Sequence, residues 1–234
     1  NEITLGGVEK YIYQKFKDKH FQLNTALDYC LKHDANAFRL DNFIELFWSE
    51  PGLKRSVDKI FEIVVYSIFE TLIRGIDVKI DIYYPNENAG IVDEFSEYTQ
   101  KVLGLDVNTV RQTLDAHFYR VGVTNAADRG LDIYANFGSA VQVKHLSLTE
   151  ENASDIVKTI TADKIIIICK TIESKIIKSL LSQIGWKSRI QSIITIEELV
   201  VWYEKALRGT YSNVFSDNLL EYLANEIKNE FPSV

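Results

Sequence analysis

The sequence predicts an α/β protein, with a central mixed β-sheet flanked by helices and a mainly helical N-terminal half. Three observations predict it. Residues 164–169 form an unbroken apolar, β-branched run, the mark of a strand buried on both faces. Residues 130–144 read as two strands about a tight turn. From there to the C-terminus, helical periodicity alternates with strand-like runs.

The elements follow in order. Leu27, Leu31 and their apolar neighbours recur at helical spacing, as do Phe43, Leu46 and Phe47. Between residues 57 and 73, Ile60, Val64, Ile68 and Leu72 mark a buried helix. Residues 78–83 alternate and then meet Pro85 and Asn86, a strand entering a turn. Helices are expected over 92–103 and over 108–119, the second with Asn108 as its N-cap. A strand over 130–135, a turn over 136–139 and a return strand over 140–144 make a hairpin. A helix over 150–160 capped by Thr149, the 164–169 strand, a helix over 174–184, a strand over 190–196 and an amphipathic helix over 197–207 complete the pattern. No repeat, low-complexity tract or linker interrupts it. The change of character divides the chain into a helical region, 1–115, and an α/β region, 116–234.

A chain of 234 residues suffices for one well-filled domain. Its 46% hydrophobic and 25% charged residues are ordinary for a globular protein. Cys30 and Cys169 lie far apart, the second inside an apolar run, and read as buried free thiols of a cytoplasmic protein. No apolar stretch approaches the ~20 residues a membrane helix needs. The N-terminus lacks the basic flank and apolar core of a signal peptide. Methionine is absent even at residue 1, as in a trimmed chain or part of a longer one. The net charge of −7 weighs against nucleic acid, since phosphate binding needs lysine and arginine. Its distribution weighs the other way: residues 116–192 carry ten basic against seven acidic side chains, the clearly positive block.

That block holds the chemistry. Strand alternation puts Gln142 and Lys144 on one face, with Val143 on the other, and the hairpin brings Asp132 toward the same face. A carboxylate, an amide oxygen and an ammonium then gather at one end of a sheet. Asp132, Gln142 and Lys144 are the candidate catalytic residues for phosphodiester hydrolysis. Asp132, the Gln142 side-chain oxygen and the Val143 carbonyl are candidate ligands of Mg²⁺, a hard cation that takes oxygen donors and assists attack by water. Lys144 would orient that water and offset charge building up on the phosphate.

Gly130-Leu131-Asp132 with Gln142-Val143-Lys144 resembles the PD-(D/E)xK nuclease superfamily. The longer run from Asp128 through Gly138, and Val141 through Leu146, is similar to the HaeII group of type II restriction endonucleases. The resemblance implies a restriction-endonuclease-like catalytic core in 116–234, with 1–115 contributing to dimerisation and DNA recognition. It further implies a Mg²⁺-dependent enzyme cutting double-stranded DNA at a specific, GC-rich palindrome, acting as a homodimer beside a cognate DNA methyltransferase. Asn125, Arg129, Arg120 and His145 are the candidate DNA contacts, although His145, next to Lys144, should face away from the site and suits a structural role. Two features depart from the superfamily. No proline precedes Asp132, and glutamine replaces the second acidic residue, so another carboxylate is expected to compensate. Glu70, Glu94, Glu97, Asp115 and Asp128 are the candidates. A modification-dependent nuclease or junction resolvase of the same fold, or a DNA-binding module without turnover, fits the same residues. The acidic pairs Asp93/Glu94 and Glu150/Glu151 read as helix-start charges. Phe43, Phe47, Trp48 and Phe61 read as core. Neither a nucleotide loop nor a zinc set is present.

Overall fold

A computed structural model describes residues 6–49, 57–121, 131–172 and 189–230. Three helices lead: α1 (Gly7–Lys32), α2 (Leu40–Ser49) and α3 (Val57–Ile76). Strand β1 (Lys79–Tyr83) pairs antiparallel with β2 (Arg111–Asp115) as a separate two-stranded ribbon. Between them lie a 3₁₀ turn (Asn86–Asn88), α4 (Ala89–Glu94), α5 (Ser96–Tyr98) and a π turn (Thr99–Leu103). The main sheet takes β3 (Phe118–Arg120), β4 (Ile133–Ala135), β5 (Ser139–Val143), β6 (Lys164–Cys169) and β7 (Ile190–Thr195), in that order across it. The pairs β3–β4 and β4–β5 are antiparallel, whereas β5–β6 and β6–β7 are parallel. Helix α6 (Glu150–Thr159) connects β5 to β6, and α7 (Ile196–Arg208) and α8 (Ser212–Glu230) close the chain. The expected 174–184 helix falls outside the described residues.

The mixed sheet flanked by helices is the expected fold class, and its two faces explain the apolar pattern. Ile133, Val141, Val143, Ile166, Ile168 and Ile194 point into one hydrophobic cluster shared with α1, α2, α3, α7 and α8. Ala140, Ile165, Ile167, Cys169 and Ile190 point into a second cluster with α6. Strand β6 feeds both, hence its continuous apolar run. Phe43, Phe47 and Phe61 are buried in the first cluster, with Trp48 packed against it, and both thiols are buried and free. Thr149 caps α6 by accepting from Asn152 N, as expected. Among the described residues, no helix is long and apolar enough to cross a membrane.

The expected helix over 108–119 is not formed. Asp106 Oδ1 accepts from the backbone of Asn108 and Thr109, which bends the chain into a turn where Asn108 would have capped a helix. Residues 111–115 then pair with β1, and 118–120 with β4. Ala116 and Phe118 are buried while Tyr119 is largely exposed, a period of two that pairing enforces over helix propensity. The expected 92–103 helix is helical but broken at Phe95 and widened at its C-terminal end.

Helix α3 positions the site. Glu70, 1% exposed, accepts from Phe118 N at 2.8 Å and meets His117 Nδ1 at 3.0 Å, fixing the helix to the start of β3. Tyr203 of α7 donates to the Val64 carbonyl at 2.8 Å. Arg120 Nε reaches Glu226 at 3.0 Å and Nη1 reaches Glu230 at 2.6 Å, binding β3 to α8.

Candidate active site

The hairpin register pairs Ile133 with Val141 and Tyr134 with Ala140. One further step sets Asp132 opposite Gln142, on the same face by alternation. The turn between the strands needs Gly138, whose φ of +96° suits glycine, and Gly138 N donates to the Ala135 carbonyl at 3.1 Å.

Asp132 is held from both sides. Its carbonyl accepts from Val121 N at 2.9 Å, continuing the pairing with β3. Its Oδ2 accepts from Val143 N at 2.7 Å and from Gln142 Nε2 at 2.5 Å, so the side chain takes over where the β4–β5 ladder stops. Among the described residues both bonds fall on Oδ2. Burial holds this carboxyl above the usual carboxylate range, against the pull of the Val143 N–H and the ammonium groups of Lys144 and Lys59. Gln142 is 3% exposed and presents its nitrogen to Asp132. To ligate a cation beside Asp132, its amide would turn about the last torsion and offer the oxygen. Lys144 is exposed one residue beyond β5, its N–H bonded to the Ile168 carbonyl at 2.8 Å, close enough for its charge to act on Asp132.

Sequence reasoning missed the second carboxylate, Glu62, on the second turn of α3. It is buried and accepts from Lys59 Nζ at 2.6 Å. Burial pushes its carboxyl up to about 7, the Lys59 bond pulls it down, and the charge of Asp132 pushes it up again. A half-buried acid whose charge raises a buried one, with hard oxygen donors around them, suits a divalent cation. Among the described residues no three His, Cys, Asp or Glu side chains converge on a metal. The signal for Glu62 was an acid inside an apolar helical run, where a charge is not kept without a partner.

The HaeII restriction endonuclease family matches residues 1–234, the full length of this sequence. The chain belongs to the HaeII restriction endonuclease family. It is 50% identical over 233 residues to the type II restriction enzyme HaeII of Haemophilus aegyptius. It is 51% identical over 234 residues to the type II restriction enzyme NgoBI of Neisseria gonorrhoeae. Each match covers 100% of this chain and 66% of the relative, so the chain spans about two thirds of the length of these enzymes. No solved structure matches it.

The other candidates of this HaeII-family chain are dispersed. Arg120 is 9% exposed and committed to Glu226 and Glu230, so it joins strand to helix and does not face solvent. His145 Nδ1 meets Asp58 Oδ1 in the first turn of α3. Glu70 is engaged at β3, Asp115 pairs with Lys79, and Glu97 pairs with Lys101 on the surface. Glu94 is exposed. Asn125, Asp128 and Arg129 lie outside the described residues.

Proposed function

We propose that this chain is the catalytic part of a type II restriction endonuclease that hydrolyses double-stranded DNA at a specific, GC-rich palindrome with Mg²⁺. The observation that carries the reading is Asp132 anchored opposite Gln142, with Lys144 two residues on and Glu62 behind it. Membership of the HaeII family supports the same conclusion. Asp132 and Glu62 would hold Mg²⁺, with the Val143 carbonyl and a turned Gln142 amide as neutral oxygens. The cation would supply charge stabilisation and a more acidic water. Lys144 would hold the attacking water and offset charge on the phosphate oxygens as a point cation. Water adds to phosphorus, the bond to the leaving oxygen breaks, and a phosphate monoester and a hydroxyl result. Before the cation binds, Gln142 donates to Asp132 and keeps that carboxylate in place. Such an enzyme would act as a homodimer in the cytoplasm, beside a methyltransferase protecting the host's copies of the site.

The test is cleavage of unmodified plasmid by purified protein with Mg²⁺. Discrete bands are expected, and Asp132→Ala or Lys144→Ala should each lower the rate by about 10²–10³. Activity that survives both substitutions overturns the mechanism. Cleavage restricted to modified or branched DNA overturns the restriction reading.

A further inference from the structure

The carboxyl ends of β5 and β6 carry a second exposed lysine, which the candidate site leaves unused. Lys170 is the first residue past β6, as Lys144 is the first past β5, and both are exposed. The two strands run parallel, so these residues leave the sheet at one end, on backbones about 4.8 Å apart. Pairing continues past the ladder. Lys144 N donates to the Ile168 carbonyl at 2.8 Å, Lys170 N to the Leu146 carbonyl at 3.1 Å and Leu148 N to the Thr171 carbonyl at 2.9 Å. Backbone bonds therefore fix Lys170 as they fix Lys144.

The side chain of Lys170 is placed as well. Ile168 points into the cluster shared with α2 and α3, and alternation turns Lys170 to the same side. There its Nζ lies 4.2 Å from the centre of the Trp48 ring, in the last turn of α2. An indole face attracts an ammonium without accepting its hydrogen bonds in the way a carboxylate does, so the donors stay available to an anion. Among the described residues Lys170 forms no ion pair, although the chain holds 33 acidic side chains against 26 basic ones. A rotamer held beforehand also spares part of the entropy that binding would otherwise cost. On the same paired segments, Ser147 Oγ and Thr171 Oγ1 are exposed and 2.7 Å apart. One hydroxyl hydrogen joins them, and the other is left for an acceptor. Two ammonium groups and a hydroxyl pair along one rim suit successive phosphodiesters of a single strand.

We propose that Lys170, steadied on the Trp48 ring, binds a phosphate of the DNA strand crossing the candidate site, beside the one that Lys144 serves, an inference that rests on the endonuclease reading for the DNA itself. Lys170 touches no reacting atom in this role. It sets where the strand lies over Asp132 and Lys144.

Binding is read apart from cleavage, by fluorescence anisotropy of a labelled mixed-sequence duplex in chelator over a series of KCl concentrations. Lys170→Ala should weaken binding about three- to tenfold at low salt and lower the slope of log affinity against log salt by about one. Lys170→Arg should keep that slope, since the charge stays over the ring. Trp48→Leu should weaken binding about two- to fourfold and also keep the slope, because the cation remains while its support is lost. Lys228→Ala, at an exposed lysine in the last turn of α8, should change neither. Circular dichroism spectra like the parent's are expected throughout, and Lys170 is exposed, so its variants do not depend on how Trp48→Leu folds. An unchanged slope in Lys170→Ala, a slope that Lys170→Arg fails to keep, or an equal loss from Lys228→Ala overturns the proposal and leaves the endonuclease reading standing. A folded Trp48→Leu that binds like the parent overturns the part played by the ring. A parent that binds no duplex at any salt overturns both readings.

Discussion

Replacing Arg120 by methionine removes the charge while keeping most of the aliphatic stem. Methionine cannot donate, so Glu226 and Glu230, the second with a side chain 5% exposed, lose the guanidinium that holds them at 3.0 and 2.6 Å. Removing one member of a buried pair costs about 3–5 kcal/mol. Glu226 is wetter, at 20% exposure, which places the expected cost near the lower end, at about 3 kcal/mol. For a chain of this size about 1 kcal/mol moves the melting temperature by about 2–4 °C, so a fall of roughly 6–12 °C is expected. Thermal melts followed by circular dichroism measure it. Adding Glu226→Gln and Glu230→Gln should recover at least half the loss, because neutral amides no longer require a cation. A phosphate-contacting arginine behaves differently: the melt stays put, and the salt dependence of DNA binding falls by about one phosphate contact. A melt within about 2 °C of the parent refutes the assignment of Arg120 to a structural ion pair.

Gln142→Glu sets a second carboxylate 2.5 Å from Asp132 Oδ2, so the variant should melt lower than the parent in chelator and gain more from added Mg²⁺. A Mg²⁺ shift equal to or below the parent's counts against a cation site at Asp132. Gly138→Ala should lose about 1–2 kcal/mol, seen in urea titration, because φ is +96° there while the space around a new methyl is open. An unchanged urea midpoint would show that the turn adapts. Burial pushes the Cys30 thiol up to about 12 and Cys169 to about 11, so both should resist maleimide at pH 8 until the chain unfolds. Their folded values lie above the unfolded one, so the stability they contribute is full below the ordinary thiol value of about 8.5 and is lost as pH rises toward the folded values. Rapid native labelling of either thiol contradicts this.

The sheet was legible where its strands were buried on both faces or met across a short turn. Ile165 to Cys169 could hardly be anything but a central strand, and Gly138 announced the hairpin that sets Asp132 opposite Gln142. The edge was not legible. Arg111 to Arg120 has weak local preference, and what decides it is a turn at Asp106 and pairing with strands 30 residues before and 15 after. The acid proposed to supplement Asp132 was hidden for the same reason. Glu62 lies 70 residues upstream, and only the packing of α3 against the sheet brings it within electrostatic reach. Glu70, two turns further along the same helix, was a candidate on sequence where Glu62 was not, and the structure makes it a brace.

Helix α3 spans both tasks: its first two turns supply Asp58 and Glu62 near the site, and its fourth carries Glu70, bolted to β3. It behaves as a ruler whose zero mark is set at Glu70 against β3. Slippage by one turn, about 5.4 Å, would withdraw an acid from beside Asp132 while every strand stayed in register. Variants with altered turnover and intact folding should therefore turn up at Tyr203 and His117, where the ruler is clamped.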